Sequence, residues 1–143
     1  MRFIPTIVSV FLSLGASAQC EKEVKDFYVS YMQYLDADNT VAADSLLRAD
    51  MTPLCLDKVA EYTRQYDCDA VIHSQDVCRH AVETLEVVPM TEDWYLVKYK
   101  WSEDSRNDVM IPVRAQYVDG VFRITDISPL GTDSGGASYI KRK

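Results

Sequence analysis

The 143-residue sequence holds no CxxC pair, no run of about 20 apolar residues, no internal repeat and only two histidines. Each absence closes off a class of function. Its four cysteines are separated by 34, 12 and 9 residues, a spacing that does not suggest a structural zinc site. A stable membrane-spanning helix needs about 20 apolar residues, so none is expected. His73 and His80 lack a third ligand at metal spacing and are expected at the surface or in a supporting role. His73 and Ser74 are adjacent in sequence and cannot orient each other as a catalytic triad requires. No arrangement of nucleophile, base and orienting group is recognisable, so no catalytic residue, cofactor or metal is predicted.

Positive charge is also scarce. With 15 Lys and Arg against 22 Asp and Glu, the formal charge is −7. Arg2 lies in a leader, and the end of the chain sets Asp133 against Lys141, Arg142 and Lys143, so residues 19–130 alone carry −10. Such a body repels phosphate backbones and anionic lipid, which argues against nucleic acid as a partner. Two lysines interleaved with Trp94 and Trp101 are too few to change that. The acidic surplus reads as solubility.

Residues 1–18 have the form of a secretory signal peptide: Arg2, an apolar run from Phe3 to Leu14, then Ala16-Ser17-Ala18 as a small-x-small cleavage site. Cleavage would leave Gln19 first, in a protein that is exported, periplasmic or secreted. A lipid anchor on Cys20 is the lesser alternative, because Gln19 replaces the small residue that lipoprotein processing requires. The remaining 125 or so residues suffice for one domain with its own core.

In an exported chain four cysteines predict two disulfides. Cys55 and Cys68 sit at opposite ends of a predicted helix, about 19 Å apart at 1.5 Å per residue, too far to bridge. Cys68 is then left with Cys78 or Cys20. The expected pairs are Cys68 with Cys78, closing a short loop, and Cys20 with Cys55, tying down the N-terminus.

Val24, Phe27, Tyr28, Tyr31, Met32 and Leu35 recur at helical spacing and predict a helix of about a dozen residues. Asp36 to Thr40 interrupts it, and a short helix follows over Val41 to Arg48. Thr52-Pro53, a capping hydroxyl before a proline, opens a third helix running to Tyr66, with Leu56, Val59, Ala60 and Thr63 as its apolar face. Beyond residue 80 the period changes to two. Strands are predicted over 82–88, 94–101, 109–118 and 121–127, the last two joined by Asp119-Gly120, which suits a type I′ hairpin turn. Helices first and strands after make an α+β domain over residues 19–130, with helices on one face of a curved antiparallel sheet of about four strands. The segment 131–143, rich in Gly, Ser and Lys, is expected to be a disordered tail.

An aromatic-striped helix, then the segment Tyr66, Asp67, Asp69, Gln75 and Asp76, then strands closing on Phe122 to Pro129 resembles the uncharacterised secreted bacterial domains of nuclear transport factor 2-like, or cystatin-like, fold. The resemblance covers residues 21–130. It implies a cone in which the sheet wraps a helix and leaves a pocket at the open end. It implies no activity, because that fold hosts enzymes, carriers and association modules alike.

The candidate ligand-binding or loop-structuring residues are therefore Tyr66, Asp67, Asp69, Gln75, Asp76 and Asp126. Asp67, Asp69 and Asp76 are closely spaced but lack the glycine and terminal glutamate of a calcium loop, so backbone capping is expected of them. Tyr95, Val97, Tyr99 and Trp101 alternate onto one face of their strand, as core or pocket lining. The expected function is a non-catalytic module that binds a small molecule or a protein, or pairs with itself through the sheet. The alternative is a small periplasmic enzyme in which Asp126 or Asp76 acts as base and Tyr28, Tyr31, Tyr99 or Tyr117 as proton donor.

Overall fold

The computed structural model describes residues 4–77, 79–103 and 108–129, with side chains from Ala18 onward. Helix α1 runs Ile4–Asp36, so the leader segment and the aromatic-striped segment form one uninterrupted helix instead of a dozen residues. Among the described residues no helix is long and apolar enough to cross a membrane. A turn at Asp38, whose φ is 54°, leads to α2, Thr40–Asp50, where the Asn39 side chain accepts the Ala42 N–H. Helix α3 is Pro53–Tyr66, and Thr52 Oγ1 accepts the Cys55 N–H at 3.3 Å, as the Thr-Pro start predicts. Its buried residues are Cys55 and Val59, while Ala60 and Thr63 are exposed, so the packed face is turned from the expected one.

A fourth helix, α4, Arg79–Thr84, replaces the start of the strand predicted over 82–88. Thr84 accounts for the difference. Its hydroxyl donates to the His80 carbonyl at 2.8 Å and accepts the Lys100 N–H at 2.9 Å, holding a helical turn against the sheet. Strand β1 is thereby shortened to Glu86–Pro89. Strands β2, Trp94–Tyr99, β3, Val109–Val118, and β4, Val121–Ile127, follow. They form an antiparallel meander in the order β1-β2-β3-β4. Asp119 and Gly120 both have positive φ, 51° and 77°, as a type I′ turn demands.

The core lies between α1 and one face of this sheet. Val24, Phe27, Tyr28, Tyr31 and Met32 pack toward Tyr95, Val97, Tyr99, Ile111, Val113 and Ile124, all buried. Burying a large apolar side chain of this kind stabilises by about 1.5–3 kcal/mol each, so the helix–sheet contact dominates the fold. Trp101 departs from the expected alternation: it lies beyond the end of β2 and is 46% exposed.

One irregularity governs where the candidate base points. Ala115 pairs with Ile124 and Arg114 with Asp126, so Thr125 is an extra residue in β4. This bulge lets Ile124 and Ile127 both face the core at odd spacing. Strict alternation from Phe122 and Ile124 would have turned Asp126 inward. It instead shares a row with Trp94 and Arg114 on the opposite, outer face.

Candidate functional site

The segment after α3 enters the core. Asp67 ends the helix in the left-handed region at φ 52°. Asp69 and Ser74 then pair, Asp69 N–H donating to Ser74 O at 3.0 Å and Ser74 N–H to Asp69 O at 3.4 Å. Between them Ala70, Val71, Ile72 and His73 are each no more than 1% exposed. A buried loop must satisfy its backbone polar groups, and here side chains of α1, α3 and the β2 end of the sheet do so. Tyr28 Oη donates to Val71 O at 2.9 Å, and Tyr99 Oη to Ile72 O at 2.5 Å. Thr63 Oγ1 accepts the Ala70 N–H at 3.2 Å, and Trp101 Nε1 donates to Ser74 Oγ at 2.9 Å. The loop therefore fits the helix–sheet core as a plug fits a socket.

Asp69 is the electrostatic anchor of the plug. Its Oδ2 accepts from Tyr31 Oη at 2.6 Å and its Oδ1 from the Val71 N–H at 2.8 Å. Burial raises its pKa, opposed by those hydrogen bonds and one from the Ile72 N–H. Burial first, then the adjacent carboxylate, pushes the Tyr31 hydroxyl well above its ordinary range.

His73 corrects the surface role expected of it. It is 1% exposed with φ 55°, and its Nε2 contacts Ser128 O at 3.0 Å. A carbonyl only accepts, so Nε2 carries the proton, and Nδ1 is buried without a hydrogen-bond partner among the described residues. Burial lowers its pKa to about 4.

The remaining sequence candidates do not converge. Tyr66 is half-buried at the end of α3. Gln75 is exposed and donates through Nε2 to Asp67 O at 3.2 Å. Asp76 is exposed and caps the Val77 N–H at 2.8 Å. Capping, as expected of these aspartates, is what Asp69 and Asp76 do for the backbone. Among the described residues no group of three or more His, Cys, Asp or Glu could hold a metal ion.

Asp126 lies apart from all of them, on the outer face. Lys58 Nζ donates to its Oδ1 at 3.0 Å, and the carboxylate raises the lysine pKa through that hydrogen bond. The pair borders a cleft of about 570 Å³ walled by Tyr62, Met90, Trp94 and Pro112. The four tyrosines named as proton donors are engaged elsewhere: Tyr28, Tyr31 and Tyr99 hold the plug, and Tyr117 donates to Glu23 Oε2 at 2.5 Å. None of these hydroxyls is bonded to Asp126 or Asp76.

Cys20 and Cys55 are buried free thiols, which corrects the expected bridge between them. Cys20 lies near Tyr95, whereas Cys55 lies against Tyr28, eight residues further along α1. That is about 12 Å of helix rise, beyond the reach of a disulfide. Burial raises both thiol pKa values, that of Cys55 to about 12, which leaves neither nucleophilic. The Cys68–Cys78 pairing involves Cys78, which lies outside the described residues, as does the segment 131–143.

The plug left no signal in spacing or composition. Ala70-Val71-Ile72 reads as a short apolar run between polar ones, and only the positive-φ positions Asp67 and His73, types that tolerate the left-handed region, hinted at the reversal.

Neither a family model nor a curated protein matches this chain. It is similar to a crystal structure of a protein of unknown function from Bacteroides thetaiotaomicron VPI-5482, with 28% sequence identity and a TM-score of 0.78 over 87% of this chain and 99% of that one. At that TM-score the α+β arrangement is shared with a solved protein.

Proposed function

We propose that the chain is an exported, non-catalytic association module of nuclear transport factor 2-like fold that pairs with itself through the outer face of its sheet. The observation that carries this reading is the plug. A cone of this kind would bind a ligand in its mouth, but here Ala70–His73 occupy the interior and the tyrosine hydroxyls are bonded to it. Recognition is left to the outside.

The outer face has the anatomy of an interface, an apolar centre within a charged rim. Exposed Val88 and half-buried Leu96 form one row across β1 and β2 that runs on to Pro112, buried in β3. On one side the neighbouring row brings Glu86 to Lys98 at 3.6 Å, and on the other lie the pairs Arg114–Asp93 at 3.7 Å and Lys58–Asp126. Val88 and Met90 are 40% and 47% exposed. Two copies related by a two-fold axis would cover the same row on each other. The leader of residues 1–18 supports export.

Sedimentation of residues 19–143 tests this reading. A dimer is expected, and Leu96→Glu should return a folded monomer, since Leu96 is half-buried and lies outside the core. A parent that is monomeric at every concentration, or a Leu96→Glu protein that still dimerises, overturns the proposal.

A further inference from the structure

A second groove lies between α1, α2 and the β3–β4 hairpin, away from both the plug and the outer-face cleft, with a volume of about 520 Å³. Its lining is amphipathic. Val121, 48% exposed, and half-buried Leu46 supply apolar surface above the buried rings of Phe27 and Phe122, while Glu23, Asp26 and Asp50 supply carboxylates. Tyr117 occupies Glu23 Oε2 and leaves the other oxygen available. Lys22 meets Asp26 from the exposed flank at 3.0 Å, a surface pair of small worth. Arg123 is the one cation in the lining, and its guanidinium is turned to the Ala49 carbonyl. Three carboxylates against one guanidinium leave the groove anionic, and burial raises the Asp50 pKa, opposed by Arg123 and reinforced by Glu23.

We propose that this groove is the docking site of the chain's own segment Tyr139–Lys143. Charge and chemistry both match. The segment reads Tyr-Ile-Lys-Arg-Lys, two apolar side chains followed by three cations, in a chain whose residues 19–130 carry −10. Tyr139 and Ile140 suit the Val121 and Leu46 surface, and the cations suit Glu23, Asp26 and Asp50. Reach is sufficient. Tyr139 lies ten residues beyond Pro129, at most about 33–36 Å of extended chain. The groove lies at Val121, eight residues back from Pro129, at most about 26 Å. Tethering holds the segment near its site at an effective concentration on the order of millimolar, so contacts too weak to persist between separate molecules are enough here.

The test is amide NMR on residues 19–143, parent against a variant carrying Lys141→Gln, Arg142→Gln and Lys143→Gln. The expected result is a set of shift differences centred on Phe27, Val121, Phe122 and Arg123. It should collapse in 1 M salt, where the screening length is about 3 Å. A synthetic peptide of residues Ser138–Lys143, added to the triple variant, should move the same amides toward their parent positions. Carrying Glu23→Gln and Asp50→Asn in addition should abolish that response. Identical groove amides in parent and variant overturn the proposal, as do differences confined to the outer face. So does a difference that grows with protein concentration, which would place the segment of a second copy in the groove.

Discussion

Two carboxylate–tyrosine pairs stand at opposite ends of the interior with nearly the same geometry, Tyr31–Asp69 at 2.6 Å and Tyr117–Glu23 at 2.5 Å. Asp69 has both oxygens satisfied, one by the hydroxyl and one by the Val71 N–H, inside a buried loop. Glu23 has one oxygen bound and the other bordering an open groove. The same pair of residue types therefore holds structure at the plug end and offers charge at the hairpin end. What separates them is surrounding burial, since a buried polar group must be paired and a solvated one need not be.

If the plug is structural and the hairpin end is not, matched substitutions should diverge. Ile72 is 1% exposed and Val121 is 48% exposed. Ile72→Ala should destabilise by about 2–5 kcal/mol, read as a lowered urea midpoint, and Val121→Ala by no more than about 0.5 kcal/mol. Equal effects would break the comparison.

Acid should act on the plug through His73. Its folded pKa is about 4, below the ordinary value of 6.5, so the folded state disfavours the proton. Stability is fully present above about pH 6.5 and falls as pH drops toward 4, where the loss reaches about 3 kcal/mol. Urea midpoints measured from pH 7 to pH 4 check this, and the parent-specific part of the fall should vanish in His73→Gln.

Removing single hydroxyls gives the smallest effects and the sharpest contrast. Tyr99→Phe strands the buried Ile72 carbonyl and should cost about 1–3 kcal/mol, whereas Tyr117→Phe leaves Glu23 to water and should cost less than about 1 kcal/mol. Thermal melts of the two variants, side by side, decide it.

Much of the scaffold was legible before the fold was known, because local signals carried it. Thr52-Pro53 set the start of α3, Asp119-Gly120 set the hairpin, and β3 and β4 occupy the predicted residues. The candidate site was legible only in part. Asp69 and Asp76 cap backbone groups as expected, but nothing in the sequence marked the segment between them as buried. Its burial depends on Tyr28, Tyr99 and Ser128, residues 27 to 55 positions away in sequence from the groups they bind. No local pattern encodes such partners. The Cys20–Cys55 pairing failed for a similar reason, since the level at which Cys55 meets α1 is a matter of helix packing.

The sequence by itself determined the α+β class, the positions of β3, β4 and their hairpin, the acidic character and the helix caps, all consequences of periodicity, composition and turn chemistry within a few residues. Only the tertiary structure decided what the chemistry-bearing residues do. Thr125, one extra residue in β4, turns Asp126 to the outer face, and three-dimensional packing draws Ala70–His73 into the core. Side-chain direction after a bulge and the occupancy of a cavity both depend on contacts between distant segments, which a linear pattern does not contain.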